Sequence, residues 1–76
     1  MHIENLVKMA NQIGDFFEAE PNREQAMHDI AAHLKRFWEP RMRSAILAHV
    51  DQGGAGLKAI VADAIQAERA SLQPAS

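Results

Sequence analysis

Cysteine, tyrosine and threonine are absent from this 76-residue sequence, and serine occurs only three times. Without cysteine there is no disulfide, no thiolate metal ligand and no thiol nucleophile. So few hydroxyls leave the chain poor in the side chains that nucleophilic catalysis uses. Long apolar runs are missing too. None exceeds four residues, as in Ala45 to Ala48, against the roughly 20 that a membrane-spanning helix needs. The opening Met1-His2-Ile3-Glu4-Asn5 lacks the basic and apolar regions of a signal peptide, so a cytoplasmic location is expected. β-branched residues are sparse and no apolar/polar alternation persists, which leaves strands without support. Positive charge is not in excess: Lys and Arg number 8 against 10 Asp and Glu, a net charge of −2. That balance speaks against a nucleic-acid partner.

Hydrophobic residues make up 47% of the chain, and fourteen of them are alanine. The remaining large apolar side chains suffice for one compact helical core. They are too few for a core plus an enclosed substrate pocket. A chain this short buries only about 60% of its unfolded surface, so its stability margin is thin.

Ala, Leu, Ile, Glu, Gln, Lys and Arg recur at a period near 3.6, the pattern of amphipathic helices. A first helix is expected from about Ile3 to Ala19, with Ile3, Leu6, Val7, Ala10, Ile13, Gly14 and Phe17 on one face. Glu20-Pro21 stops it, because proline disfavours the helical conformation in the residue before it. Asn22 to Gln25 reads as a capping box, with Asn22 as N-cap and Gln25 reaching back. The second helix then runs to about Trp38, with Ala26, Met27, Ile30, Ala31, Leu34, Phe37 and Trp38 inward. Pro40 suits the first position of a third helix, which runs to about Val50 with Met42, Ile46, Leu47 and Val50 inward. Gly53 is the expected left-handed terminator. A fourth helix is expected over about Leu57 to Ala70, with Leu57, Ile60, Val61, Ala64 and Ile65 on one face. The expectation is an all-α fold: a small four-helix domain with short connections over residues 1–70, followed by a frayed tail over 71–76.

No catalytic or metal site stands out. His28 and His33 lie five apart, about 140° around a helix, and cannot share a metal as an i, i+4 pair does. His33 follows Asp29 by four residues and is expected to pair with it. His2 and His49 have no ligand spacing. The carboxylates are scattered and read as a solvated surface, and Ser44 has no base beside it. Gly53-Gly54-Ala55-Gly56 precedes a helix, but no strand comes before it and no Gly-Lys-Ser/Thr follows. It reads as a terminator and loop rather than a phosphate cradle.

The segment Lys35-Arg36-Phe37-Trp38-Glu39-Pro40-Arg41-Met42-Arg43 is different. Four cations against one anion give it a local charge of +3 in a chain of net charge −2, and it holds the only Trp. Arg43 falls inside the apolar face of the third helix and Arg41 points the other way. A cation inside an apolar stripe needs an acceptor, or must snorkel its head into water. Glu39, at i−4, is the nearest acceptor expected for Arg43. Trp and Arg are frequent binding anchors, so Trp38, Arg41 and Arg43 are candidates for contact with a partner. Trp38 is also a candidate core residue at the helix junction. On the first helix, Met9 and Phe16 widen the apolar stripe to about half the circumference. Either the fourth helix covers them or they form an exposed partner patch.

The sequence resembles the delta subunit of the cytoplasmic, NAD-dependent, molybdenum-containing formate dehydrogenases, up to about Ile65. Leu6 to Phe17 is similar to that family's opening helix, and Phe37-Trp38-Glu39-Pro40-Arg41-Met42-Arg43 resembles its most distinctive motif. Gly53 to Leu57 matches its loop before the last helix. Lys58-Ala59 stands where the family often carries Ser-Pro, which removes a proline start for the fourth helix. The resemblance implies a non-catalytic accessory subunit that binds the alpha subunit and supports enzyme assembly or cofactor insertion. It implies no cofactor on this chain. Bis-molybdopterin guanine dinucleotide, iron–sulfur clusters and flavin would sit in the partner subunits. Two other classes remain: a stand-alone helical regulatory module binding protein or DNA, and a small hydrolase. Self-association of the isolated chain stays open.

Overall fold

The computed structural model describes residues 2–74. The chain is all-α, with α1 at Ile3–Phe17, α2 at Arg23–Phe37, α3 at Pro40–Asp51, α4 at Ala59–Ala67 and a one-turn α5 at Arg69–Leu72. No strand occurs among the described residues. α2 packs against α1, α4 and α5, and α3 closes the other side against the same three.

The i, i+4 row Leu6, Ala10 and Gly14 forms the buried ridge of α1. α1 ends at Phe17 rather than Ala19, because the chain tightens into a turn in which Glu20 N–H donates to the Phe17 carbonyl at 3.0 Å. The capping box is half as expected. Asn22 Oδ1 accepts from Gln25 N–H at 3.1 Å, but the Gln25 side chain reaches forward to Asp29 at 2.8 Å. Glu20 takes its place and accepts from Asn22 N–H at 3.1 Å. Trp38 and Glu39 are extended, and Pro40 opens α3. α3 ends where Gly53 and Gly54 both adopt positive φ, 112° and 65°. Gly54 N–H donates to the His49 carbonyl at 2.9 Å and Gly53 N–H to that of Val50 at 3.0 Å. The glycines therefore spend these donors on closing a helix, as a terminator does.

The fourth helix starts later than expected, at Ala59. Asn11 on α1 explains the delay: its side chain donates to the Gly56 carbonyl and accepts from Lys58 N–H, both at 2.9 Å. These bonds hold the approach to α4 in an extended path. Lys58 provides no side-chain cap. Its Nζ instead bridges Asp15 on α1 and Glu18 just past its end, the latter at 2.5 Å, and the two carboxylates raise the Lys58 pKa above its ordinary 10.5. They also offset a cation placed at a helix N-terminus.

A break at Glu68 separates α4 from α5. The tail was expected to fray from Ser71, yet Leu72 is fully buried in the core. α5 packs on α2 and α3, so apolar burial holds this last turn in place. Residues 75 and 76 lie outside the described residues. No described helix is long and apolar enough to cross a membrane.

Candidate partner-binding surface

The core is complete without three of the large apolar side chains. Phe16 is 76% exposed, Phe37 63% and Met9 40%. α4 does not cover Met9 and Phe16; it lies across Gly14, on another side of α1. Phe37 was expected in the core. It is the last residue of α2 and lies on the flank of His33 rather than on the buried stripe of Leu34 and Trp38.

These exposed side chains border one open groove of about 650 Å³. Met9, Ile13 and Phe16 line it from α1, and Phe37, Trp38 and Met42 from the α2–α3 junction. Gln12 and His33 supply its polar atoms. His33 does not pair with Asp29 as its spacing suggested. Its ring lies 5.9 Å from that of Phe17 and 4.6 Å from that of Phe37, and Phe16 meets Phe17 edge-on at 5.0 Å. A continuous aromatic row thus runs from α1 across to α2. The Arg36 guanidinium lies over Phe37, 5.4 Å from the ring centre, within the range of cation–π attraction.

Trp38 is 5% exposed and belongs to the core, with one edge forming part of the groove. Met9, Phe16 and Trp38 therefore share a site. The two arginines do not line it. Arg41 is exposed on the first turn of α3, and no ion pair to it occurs among the described residues. Arg43 is half-buried, and its expected pairing with Glu39 does not form. Its Nη1 donates to the Leu72 carbonyl in a long 3.4 Å contact, and its Nε is buried without an acceptor. The guanidinium thus ties α3 to α5, across 29 residues of sequence. Phe37 and His33 were missed as groove residues. The available signal was that both lie at i and i+4 on α2, on the flank that also carries Arg36.

No three His, Asp or Glu among the described residues come together to hold a metal ion. What the groove has is desolvable apolar area with aromatic walls, which is the equipment of a protein-docking surface.

Residues 5–65 match the family model for the NADH-dependent formate dehydrogenase delta subunit, FdsD. The chain belongs to this family. The match runs from Asn5 on α1 through Ile65 on α4, so it includes every residue that lines the groove. No curated protein and no solved structure matches the chain significantly. As a formate dehydrogenase delta subunit, the chain is an accessory component of an oxidoreductase complex.

Proposed function

We propose that this delta subunit binds the molybdenum-containing alpha subunit of its formate dehydrogenase and supports assembly of the active enzyme at the stage of cofactor insertion. The observation that carries the reading is the aromatic groove between Phe16 and Phe37, left open while the other large apolar side chains among the described residues are buried wholly or in part. An apolar surface kept clear of its own helices is a surface kept for a partner. In this reading bis-molybdopterin guanine dinucleotide, the iron–sulfur clusters and flavin reside in the partner subunits, and this chain supplies contacts rather than ligands. Arg41, exposed and without an ion pair among the described residues, is the arginine of the central motif assigned to the partner.

The test is co-expression of the enzyme with and without this chain. Omitting it should lower both formate-dependent NADH formation and the molybdenum content of the purified enzyme, while iron content holds. Equal activity and equal molybdenum without the chain would remove the assembly role. The purified chain by itself should form no NADH from formate and NAD.

A further inference from the structure

The last turn of the described chain is fastened by one apolar side chain. α5 runs only from Arg69 to Leu72, and a break at Glu68, with φ −109° and ψ 25°, parts it from α4. Within the turn, Ser71 and Leu72 N–H donate to the Glu68 carbonyl and Gln73 N–H to that of Arg69. So short a helix has no stability of its own, and docking must hold it. Leu72 is the one α5 residue that is buried. Every other buried apolar residue among those described lies on α1–α4 or is Trp38. The larger body therefore has a core that does not depend on α5. The family match also ends before this turn, at Ile65.

The polar fastenings add little. Arg69 pairs with Asp51, but the side chains are 32% and 53% exposed, and an ion pair at the surface is weakened by water. Arg43 Nη1 reaches the Leu72 carbonyl only at 3.4 Å. Nε of the same guanidinium is buried with no acceptor among the described residues. A buried donor left unmet opposes the state that buries it. Docking of α5 thus sets the burial of Leu72 against an unmet N–H on α3.

We propose that α5 is a latch. Residues 69–74 undock as one unit while α1–α4 stay folded. Undocking returns the Arg43 guanidinium to water and bares the slot between α2 and α3 that Leu72 fills. Burial of one leucine side chain favours the closed form by about 10- to 150-fold, so a standing minority of molecules is open. The open form presents an apolar slot beside a free guanidinium, and the closed form withholds both. The latch thereby controls access to Arg43, one of the two arginines that follow Pro40.

The test is hydrogen exchange on the whole wild-type chain, followed by NMR at urea concentrations below the unfolding transition. Leu72 and Gln73 N–H should be protected by about 10- to 150-fold, and their exchange should change little with urea, since a local opening exposes little surface. Arg43 Nε–H should show the same protection and the same insensitivity, because one opening frees all three. Ile30 and Leu34 N–H, on fully buried residues of α2, should be protected at least about tenfold more and lose protection steeply with urea. Leu72→Ala should abolish protection at Gln73 N–H and Arg43 Nε–H together while Ile30 stays protected. Equal protection and equal urea dependence at Leu72 and Ile30 in the wild type would overturn the latch, because α5 would then open only with the whole fold. No protection at Leu72 would overturn it too, since the turn would not be docked. Arg43 Nε–H exchanging freely, or only with global unfolding, would overturn its release by α5. Unfolding of the whole chain by Leu72→Ala would show that α1–α4 do not stand without the turn, which also overturns the proposal.

Discussion

Replacing Gly14 with alanine sets two opposing effects against each other at the closest approach of α1 and α4. A Cβ built on Gly14 would lie 2.5 Å from Val61 Cγ2, about 1 Å inside normal carbon–carbon contact. Ala favours a helix interior over Gly by about 1 kcal/mol. Against this stands overpacking, which costs about 1–3 kcal/mol. The upper half of that range applies, because Val61 is fully buried and β-branched, with one strongly preferred rotamer in a helix. It cannot swing aside, so the two helices must separate. Gly14→Ala should therefore destabilise by about 1–2 kcal/mol net and lower the melting temperature by about 4–8 °C for each kcal/mol. Thermal unfolding followed by far-UV circular dichroism measures this directly. A double-mutant cycle with Val61→Ala isolates the contact: Val61→Ala should cost less in the Gly14→Ala background, with a coupling of about 0.5–3 kcal/mol. If Gly14→Ala melts higher than wild type and the cycle shows no coupling, the close approach of α1 to α4 is refuted. The contact also bears on the proposed docking surface, since Gly14 lies one residue before Asp15, which holds Lys58, and two before Phe16 of the groove.

Trp38→Ala should destabilise by about 3–5 kcal/mol, because the side chain is almost fully buried at the helix junction. A melting temperature within a degree or two of wild type would remove it from the core. Arg43→Ala should lower the melting temperature, since it cuts the tie to the Leu72 carbonyl, whereas Arg41→Ala should leave it unchanged and lower recovery of the enzyme complex. The opposite pattern would exchange their roles. Leu72→Ala should cost about 2–5 kcal/mol, and an unaltered urea midpoint would show that α5 contributes nothing. Lys58 has a pKa raised by Asp15 and Glu18, so its folded form holds its proton more tightly than the unfolded chain. That stabilisation is complete below the ordinary value of 10.5 and is lost as pH rises through the raised one. Lys58→Met should flatten the fall in stability above that pH, and an identical alkaline profile for the two proteins would show that the bridge is not made.

The helices and most of their inward faces were legible in the sequence, because each depends on local causes. The 3.6 period places Leu6, Ala10, Ile30, Leu34, Ile46 and Val50 on buried stripes. Pro40 and Gly53 act within a residue or two of where they stand. The width of the α1 stripe also signalled that Met9 and Phe16 exceed what one core-facing face needs. What failed were assignments of partners across space. Asp29 was the nearest acid to His33 and Glu39 the nearest to Arg43, but sequence proximity says nothing of which helix packs alongside. His33 lies against Phe17 from α1, and Arg43 reaches the Leu72 carbonyl. Phe37 fits the apolar face of α2 on a wheel but lies beside His33 and stays exposed, while Leu34 and Trp38 at the same end of α2 are buried. Leu72 looked like a tail residue until a pocket between α2 and α3 was there to receive it. The sequence alone determined the first three helices, the breaks between them and the charge of the central segment, since propensity, periodicity and ionisation act over a turn or less. Only the tertiary structure decided which apolar residues remain uncovered and which cations remain unpaired, because burial and pairing depend on residues that sequence order keeps far apart.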